Sequence, residues 1–138
     1  MIRIAGILAC VLVASGCGSD GSSGPKSPPP AFLTAASGTQ RLTMGSYCWQ
    51  SGNSVGCGDT GPPSTLPGLL TVGVKPDERI AVRLGFDPDA VEVTVHGLRI
   101  RVEPGRRLEF AVERDGILQV VAHTGASDVS YYARLRVF

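Results

Sequence analysis

From about residue 40 to the last residue, apolar side chains in this chain recur every second position, and that period restricts what it can fold into. Ile80, Val82, Leu84 and Phe86 alternate with Ala81, Arg83 and Gly85. Val91, Val93 and Val95 alternate with Glu92 and Thr94, and Leu98, Ile100 and Val102 with Arg99, Arg101 and Glu103. Leu108, Phe110 and Val112 alternate with Glu109, Ala111 and Glu113. The end of the chain places Val129, Tyr131, Ala133, Leu135 and Val137 on one side and Arg134 and Arg136 on the other. Successive side chains point to opposite faces only in a β-strand. No segment carries the 3.6-residue period of an amphipathic helix. Short strands punctuated by Gly and Pro predict an all-β domain, a sandwich or barrel of about seven or eight strands.

Turn residues suggest the pairing. His96-Gly97, between Val95 and Leu98, suits a two-residue hairpin if His96 accepts a positive φ. That register sets Val93 opposite Ile100 and Val91 opposite Val102 inside, and Glu92 opposite Arg101 outside, a favourable charge pair. Pro104-Gly105 and Asp115-Gly116 mark later turns. Around Arg114-Asp115-Gly116 two arrangements are open. A three-residue hairpin would set Val112 against Leu118 and Phe110 against Val120; otherwise the chain crosses between sheets, as a Greek key requires.

The closing segment, residues 127–137, resembles the last strands of immunoglobulin-like domains in bacterial surface proteins. The resemblance implies a small immunoglobulin-like antiparallel β-sandwich. The chain departs from that pattern at Asp115-Gly116-Ile117-Leu118, where a tyrosine corner would place an aromatic side chain.

The first 17 residues have a different character. Arg3 precedes the apolar run Ile4 to Ala14, and then come Ser15, Gly16 and Cys17. This is the order of charged, apolar and small residues found in export signals. The apolar run is about 11 residues long, against the roughly 20 that a spanning helix needs. Ala14-Ser15-Gly16-Cys17 resembles a bacterial lipobox, which implies a lipidated Cys17 at the mature N-terminus. Residues 1–16 are then a lipoprotein signal peptide. Residues 17–38, rich in Gly, Ser and Pro, read as a disordered tether. Residues 39–138 form the all-β domain. The implied location is the cell membrane or outer membrane, lipid-anchored, with the domain on the extracytoplasmic side.

Cys10 falls in the discarded signal and Cys17 takes the lipid, so Cys48 and Cys57 remain in an oxidising compartment and are expected to form a disulfide. Their C-x8-C spacing is too open for a zinc site. Beside them, Tyr47 and Trp49 share one side of a strand. Either they form an exposed platform for a sugar ring or peptide, or Trp49 folds over the disulfide as core; the core reading is favoured because large aromatics dominate cores.

The formal charge is +1, with acids and bases interleaved, so no nucleic-acid footprint exists. No nucleophile elbow, zinc-protease helix motif or phosphate-binding glycine loop is present. His123, Asp128 and a serine could be drawn as a triad, but only geometry identifies one. Asp87-Pro-Asp89 supplies two carboxylates, too few for a calcium cage. Arg83, Arg99, Arg101, Arg134 and Arg136 could share an outward face toward an acidic envelope polymer; a solvated face balanced by Glu92, Glu103, Glu109 and Glu113 is the plainer account. The expectation is a non-enzymatic binding or scaffolding lipoprotein with no catalytic residues, metal or cofactor, meeting the membrane through its anchor and an envelope protein or glycan. The alternatives are a glycan- or metal-binding protein and a small hydrolase.

Overall fold

A computed structural model describes residues 27–138. Eleven strands follow in order: β1 (Phe32–Ala35), β2 (Gly38–Arg41), β3 (Thr43–Ser51), β4 (Ser54–Gly58), β5 (Thr71–Val74), β6 (Arg79–Arg83), β7 (Ala90–Val95), β8 (Leu98–Ile100), β9 (Arg107–Ala111), β10 (Gly116–Thr124) and β11 (Ser127–Val137). A single 3-10 turn, Pro63–Thr65, interrupts the run before β5. The smaller sheet has the order β2-β1-β6-β9. The larger has the order β4-β3-β11-β10-β7-β8, with β5 added in parallel to the C-terminal half of β11. Among the described residues no helix is long and apolar enough to cross a membrane. The expected signal peptide and the expected lipidation at Cys17 lie outside the described residues.

The period of two becomes a sandwich because each sheet turns its apolar face inward. Leu33, Ile80, Val82, Leu108 and Phe110 of the smaller sheet meet Val93, Val120, Val129, Tyr131 and Leu135 of the larger in one core. The smaller sheet holds β1, β6 and β9, and the larger holds β7, β10 and β11, which is the division of strands A, B, E against C, F, G in immunoglobulin-like sandwiches. The β3–β4 hairpin is an addition to that plan. It pairs with the N-terminal half of β11 and lengthens the larger sheet by two strands.

The His96-Gly97 hairpin forms in the expected register, with φ of 52° and 74° at the two turn residues and Val93 opposite Ile100. It is shorter than expected. β8 ends at Ile100, so Val102 does not pair with Val91, and Glu92 meets Arg99 at 3.1 Å instead of Arg101. The chain must leave the larger sheet there to reach β9 in the smaller one. At residues 112–116 it crosses back, so Phe110 pairs with Ile80 and Val120 with Val93, not with each other.

The domain also begins earlier than residue 39. Phe32–Ala35 is a strand hydrogen-bonded on both sides, and Pro28 and Ala31 are buried. Four residues of strand between a proline run and a Gly/Ser stretch carry too little periodicity to stand out. The entry is held by a long-range bond: the Tyr131 hydroxyl, on a fully buried ring, donates to the Pro29 carbonyl at 2.5 Å. The remaining strands beyond the expected seven or eight include β2 (GTQR) and β4 (SVGCG), edge strands with mostly exposed side chains and hence no apolar alternation.

Burial pushes the Tyr131 phenol above the ordinary tyrosine range. A raised folded-state pKa means that the stabilisation is complete below the unfolded value, about 10, and is lost as pH rises beyond it. Tyr131→Phe is expected to cost about 1 kcal/mol at neutral pH through the lost bond to Pro29. It should also flatten the alkaline fall in stability. Urea denaturation at neutral and strongly alkaline pH checks both, and parallel alkaline slopes for parent and variant would count against this role.

Candidate functional site

Cys48 and Cys57 face each other directly across β3 and β4, 4.1 Å apart at Cα, and are joined by a disulfide. Closing so short a loop is worth roughly 2–3 kcal/mol on the chain-entropy argument. The bridge staples an edge hairpin whose β4 has no second neighbour.

Alternation along β3 sends Trp49 to the opposite face from the disulfide. Trp49 is 7% exposed and packs edge-on against Phe86, ring centres 5.1 Å apart. It is core, as favoured, but it covers Phe86 and not the disulfide. Tyr47 is half-buried along the backbone of Gly58, where a Cβ would come within 2.6 Å of the Tyr47 ring. The two aromatics therefore do not present an exposed platform.

His123 and Asp128 are cross-strand neighbours on β10 and β11. The Asp128 carboxylate accepts the Cys48 amide at 3.2 Å, and the Ser127 hydroxyl accepts the Gln50 amide at 2.9 Å. Both groups brace the join between β3 and β11. His96 lies at the other end of β10, its amide donating to the Ile117 carbonyl. Six residue steps of strand lie between Ile117 and His123, about 20 Å. The two histidines do not converge on one ion, and among the described residues no group of three His, Cys, Asp or Glu could hold a metal. Asp87 and Asp89 likewise diverge: Asp87 pairs with Arg106 at 2.9 Å, and Asp89 accepts the Gly125 amide at 2.7 Å.

The five arginines grouped from the sequence fall on different surfaces. Arg83 belongs to the smaller sheet, Arg99 and Arg101 to the β8 edge of the larger, and Arg134 and Arg136 to the middle of its outer face. Arg99 is neutralised by Glu92. Arg134 and Arg136, two positions apart on the same side of β11, enter no ion pair among the described residues.

These two arginines line an open cleft of about 500 Å³ together with Ser64, Thr71, His96 and Asp115. Each member is placed by the fold. Ser64 sits on the 3-10 turn, Thr71 opens β5 directly beside Arg134, and His96 is the hairpin residue that tolerates positive φ. Asp115 is turned toward the backbone, where its carboxylate accepts the Val137 amide at 2.5 Å. The cleft therefore presents two guanidinium forks, two hydroxyls, an imidazole and the exposed Asp115 carboxylate, one oxygen of which is taken by the Val137 amide. Guanidinium groups recognise planar oxyanions through paired N–H donors, so the cleft is suited to a carboxylate or phosphate. Among the described residues the Ser64 hydroxyl has no hydrogen bond to His96. Arg134, Arg136, His96 and Asp115 were visible in the sequence as separate features, the last two as turn residues; Ser64 and Thr71 were not.

The chain matches no protein-family profile, and no curated protein or solved structure is detectably similar to it.

Truncating Trp49 should expose its role. Trp49→Ala is expected to destabilise the fold by about 3–5 kcal/mol, the range for large aromatics removed from cores. Parent tryptophan fluorescence should be blue-shifted and poorly quenched by iodide. A variant that melts within a few degrees of the parent would return Trp49 to the surface.

Proposed function

We propose that the protein is an envelope lipoprotein, anchored through Cys17, whose sandwich acts without catalysis as a binding or scaffolding module. The cleft around Arg134 and Arg136 takes an anionic group, most simply the carboxylates of an acidic envelope polymer. One observation carries this reading. Arg79, Arg99, Arg106 and Arg107 each meet a carboxylate, whereas Arg134 and Arg136 lie side by side with none in ion-pair contact, the one carboxylate of the cleft, Asp115, being engaged by the Val137 amide. Two adjacent cations on one strand repel each other and gain nothing for the fold; an anion bridging them turns that repulsion into binding. Ser64 and Thr71 add neutral donors at the rim, the usual complement for fixing an oxyanion's orientation.

The anchor and the cleft are tested separately. Cys17→Ser should abolish metabolic palmitate labelling and release or mis-process the chain, since stable anchoring needs two or more acyl chains. Labelling that persists in the variant would remove the anchor from the reading. For the cleft, the probe is polygalacturonate, a carboxylated polysaccharide. Arg134→Ala with Arg136→Ala should weaken its binding at least tenfold, for a loss of about 1.4 kcal/mol or more, and should make the residual binding less sensitive to salt. Both side chains are exposed, so the melting temperature should stay within a degree or two. Undiminished binding by the double variant would reject the cleft as the site.

A further inference from the structure

The outer face of the smaller sheet is the other unbalanced surface of the domain. Its registers align Arg41, Phe32, Arg83 and Arg107 in one row across all four strands. All three arginines are exposed and Phe32 is half-exposed between two of them. In the adjoining part of the face Arg79 and Arg107 share a single acid, Glu109, at 3.9 and 2.8 Å. Arg41 and Arg83 have no ion-pair partner among the described residues.

This row lies where the N-terminal segment joins the domain. Pro29 and Pro30 line a shallow cleft of about 440 Å³ with Phe32, Arg83, Arg106 and Arg107. The entry point is fixed, because Pro28 is buried and the Pro29 carbonyl is held by Tyr131. Nine residues, 18–26, separate Cys17 from Ser27, and Lys26 adds another positive charge to the approach. Even fully extended, that stretch reaches no more than about 36 Å. A lipid on Cys17 would therefore keep Ser27, and with it the entry point beside the arginine row, within about 36 Å of the bilayer.

We propose that this face docks on the membrane, with Arg41, Arg83 and Arg107 contacting the phosphates of anionic phospholipid headgroups and Phe32 entering the interface between them. The proposal rests on the lipid-anchored reading above and goes beyond it by assigning an orientation. Basic side chains near an anionic leaflet attract it within about a Debye length, and a single apolar ring beside them suits the headgroup boundary. The Arg134–Arg136 cleft is on the outer face of the opposite sheet, so docking turns it away from the bilayer toward the envelope space.

The test uses the mature chain, residues 17–138, carrying Cys17→Ser so that no acyl chain can mask the contact. Flotation with phosphatidylglycerol-containing vesicles is compared with phosphatidylcholine vesicles at low and physiological ionic strength. Preference for the anionic vesicles, weakening with salt, is expected. Arg41→Ala with Arg83→Ala should reduce it by about fivefold per arginine, and Arg134→Ala with Arg136→Ala should leave it unchanged. In a Phe32→Trp variant, brominated phosphatidylglycerol should quench the new tryptophan. Equal binding to both vesicle types, no quenching at position 32, or a loss confined to the cleft variant would overturn the proposal; the first two would leave the face to a protein partner. Because the vesicle assay contains no acylated protein, its failure is distinct from a failure of palmitate labelling at Cys17 in cells.

Discussion

The larger sheet is organised around β11. This strand is paired along its length by β10 on one side, and on the other by β3 over its first half and β5 over its second. Its inward side chains Val129, Tyr131, Ala133 and Leu135 are all but inaccessible to water. A one-residue slip in β11 would carry those four outward and Arg134 and Arg136 into the core. The cost of burying two guanidinium groups without partners would exceed the stability of a domain this size. The register is therefore held from both faces, and the remaining features inherit it.

Those features are distributed along β11 in order. At its start, Asp128 and Ser127 secure the disulfide-bonded β3–β4 hairpin through backbone amides. At its middle, Tyr131 reaches across the core to hold the entering chain at Pro29. At its end, Arg134 and Arg136 project into the cleft between β5 and the His96 turn. One strand thus links the chain's entry at Pro29 to the candidate binding site through covalent chain and buried contacts. Movement of the Pro28–Ala31 entry relative to the cleft would require breaking the Tyr131 bond or repacking the core.

The two sheets also differ in what they offer outward. The smaller sheet shows an arginine row with one acid near it, beside the point where the chain enters. The larger sheet shows a mixed surface on which Glu92 meets Arg99, while the Arg134–Arg136 pair in the cleft has no ion-pair partner among the described residues. A net charge of +1 conceals this arrangement. Composition sums the charges, while pairing across strands decides which of them cancel.

The sequence by itself determined the β character of the chain, the inward and outward sides of β6, β7, β9 and β11, the His96-Gly97 hairpin, and the pairing of Cys48 with Cys57. Each of these is local: alternation reports a strand with one buried face, a two-residue turn tolerating positive φ reports a hairpin, and, on the export reading, elimination leaves a single thiol pair. Tertiary structure alone decided that Phe32–Ala35 belongs to the domain, that β2 and β4 exist, and that Trp49 meets Phe86. It also decided that five arginines seen as one face divide between opposite surfaces. Short edge strands bury too little to impose a period. The sheet to which a strand belongs is set by long-range pairing, and adjacent residues carry no trace of it. The same holds for the cleft, whose lining residues span Ser64 to Arg136 and come together only when β5, β10 and β11 lie side by side.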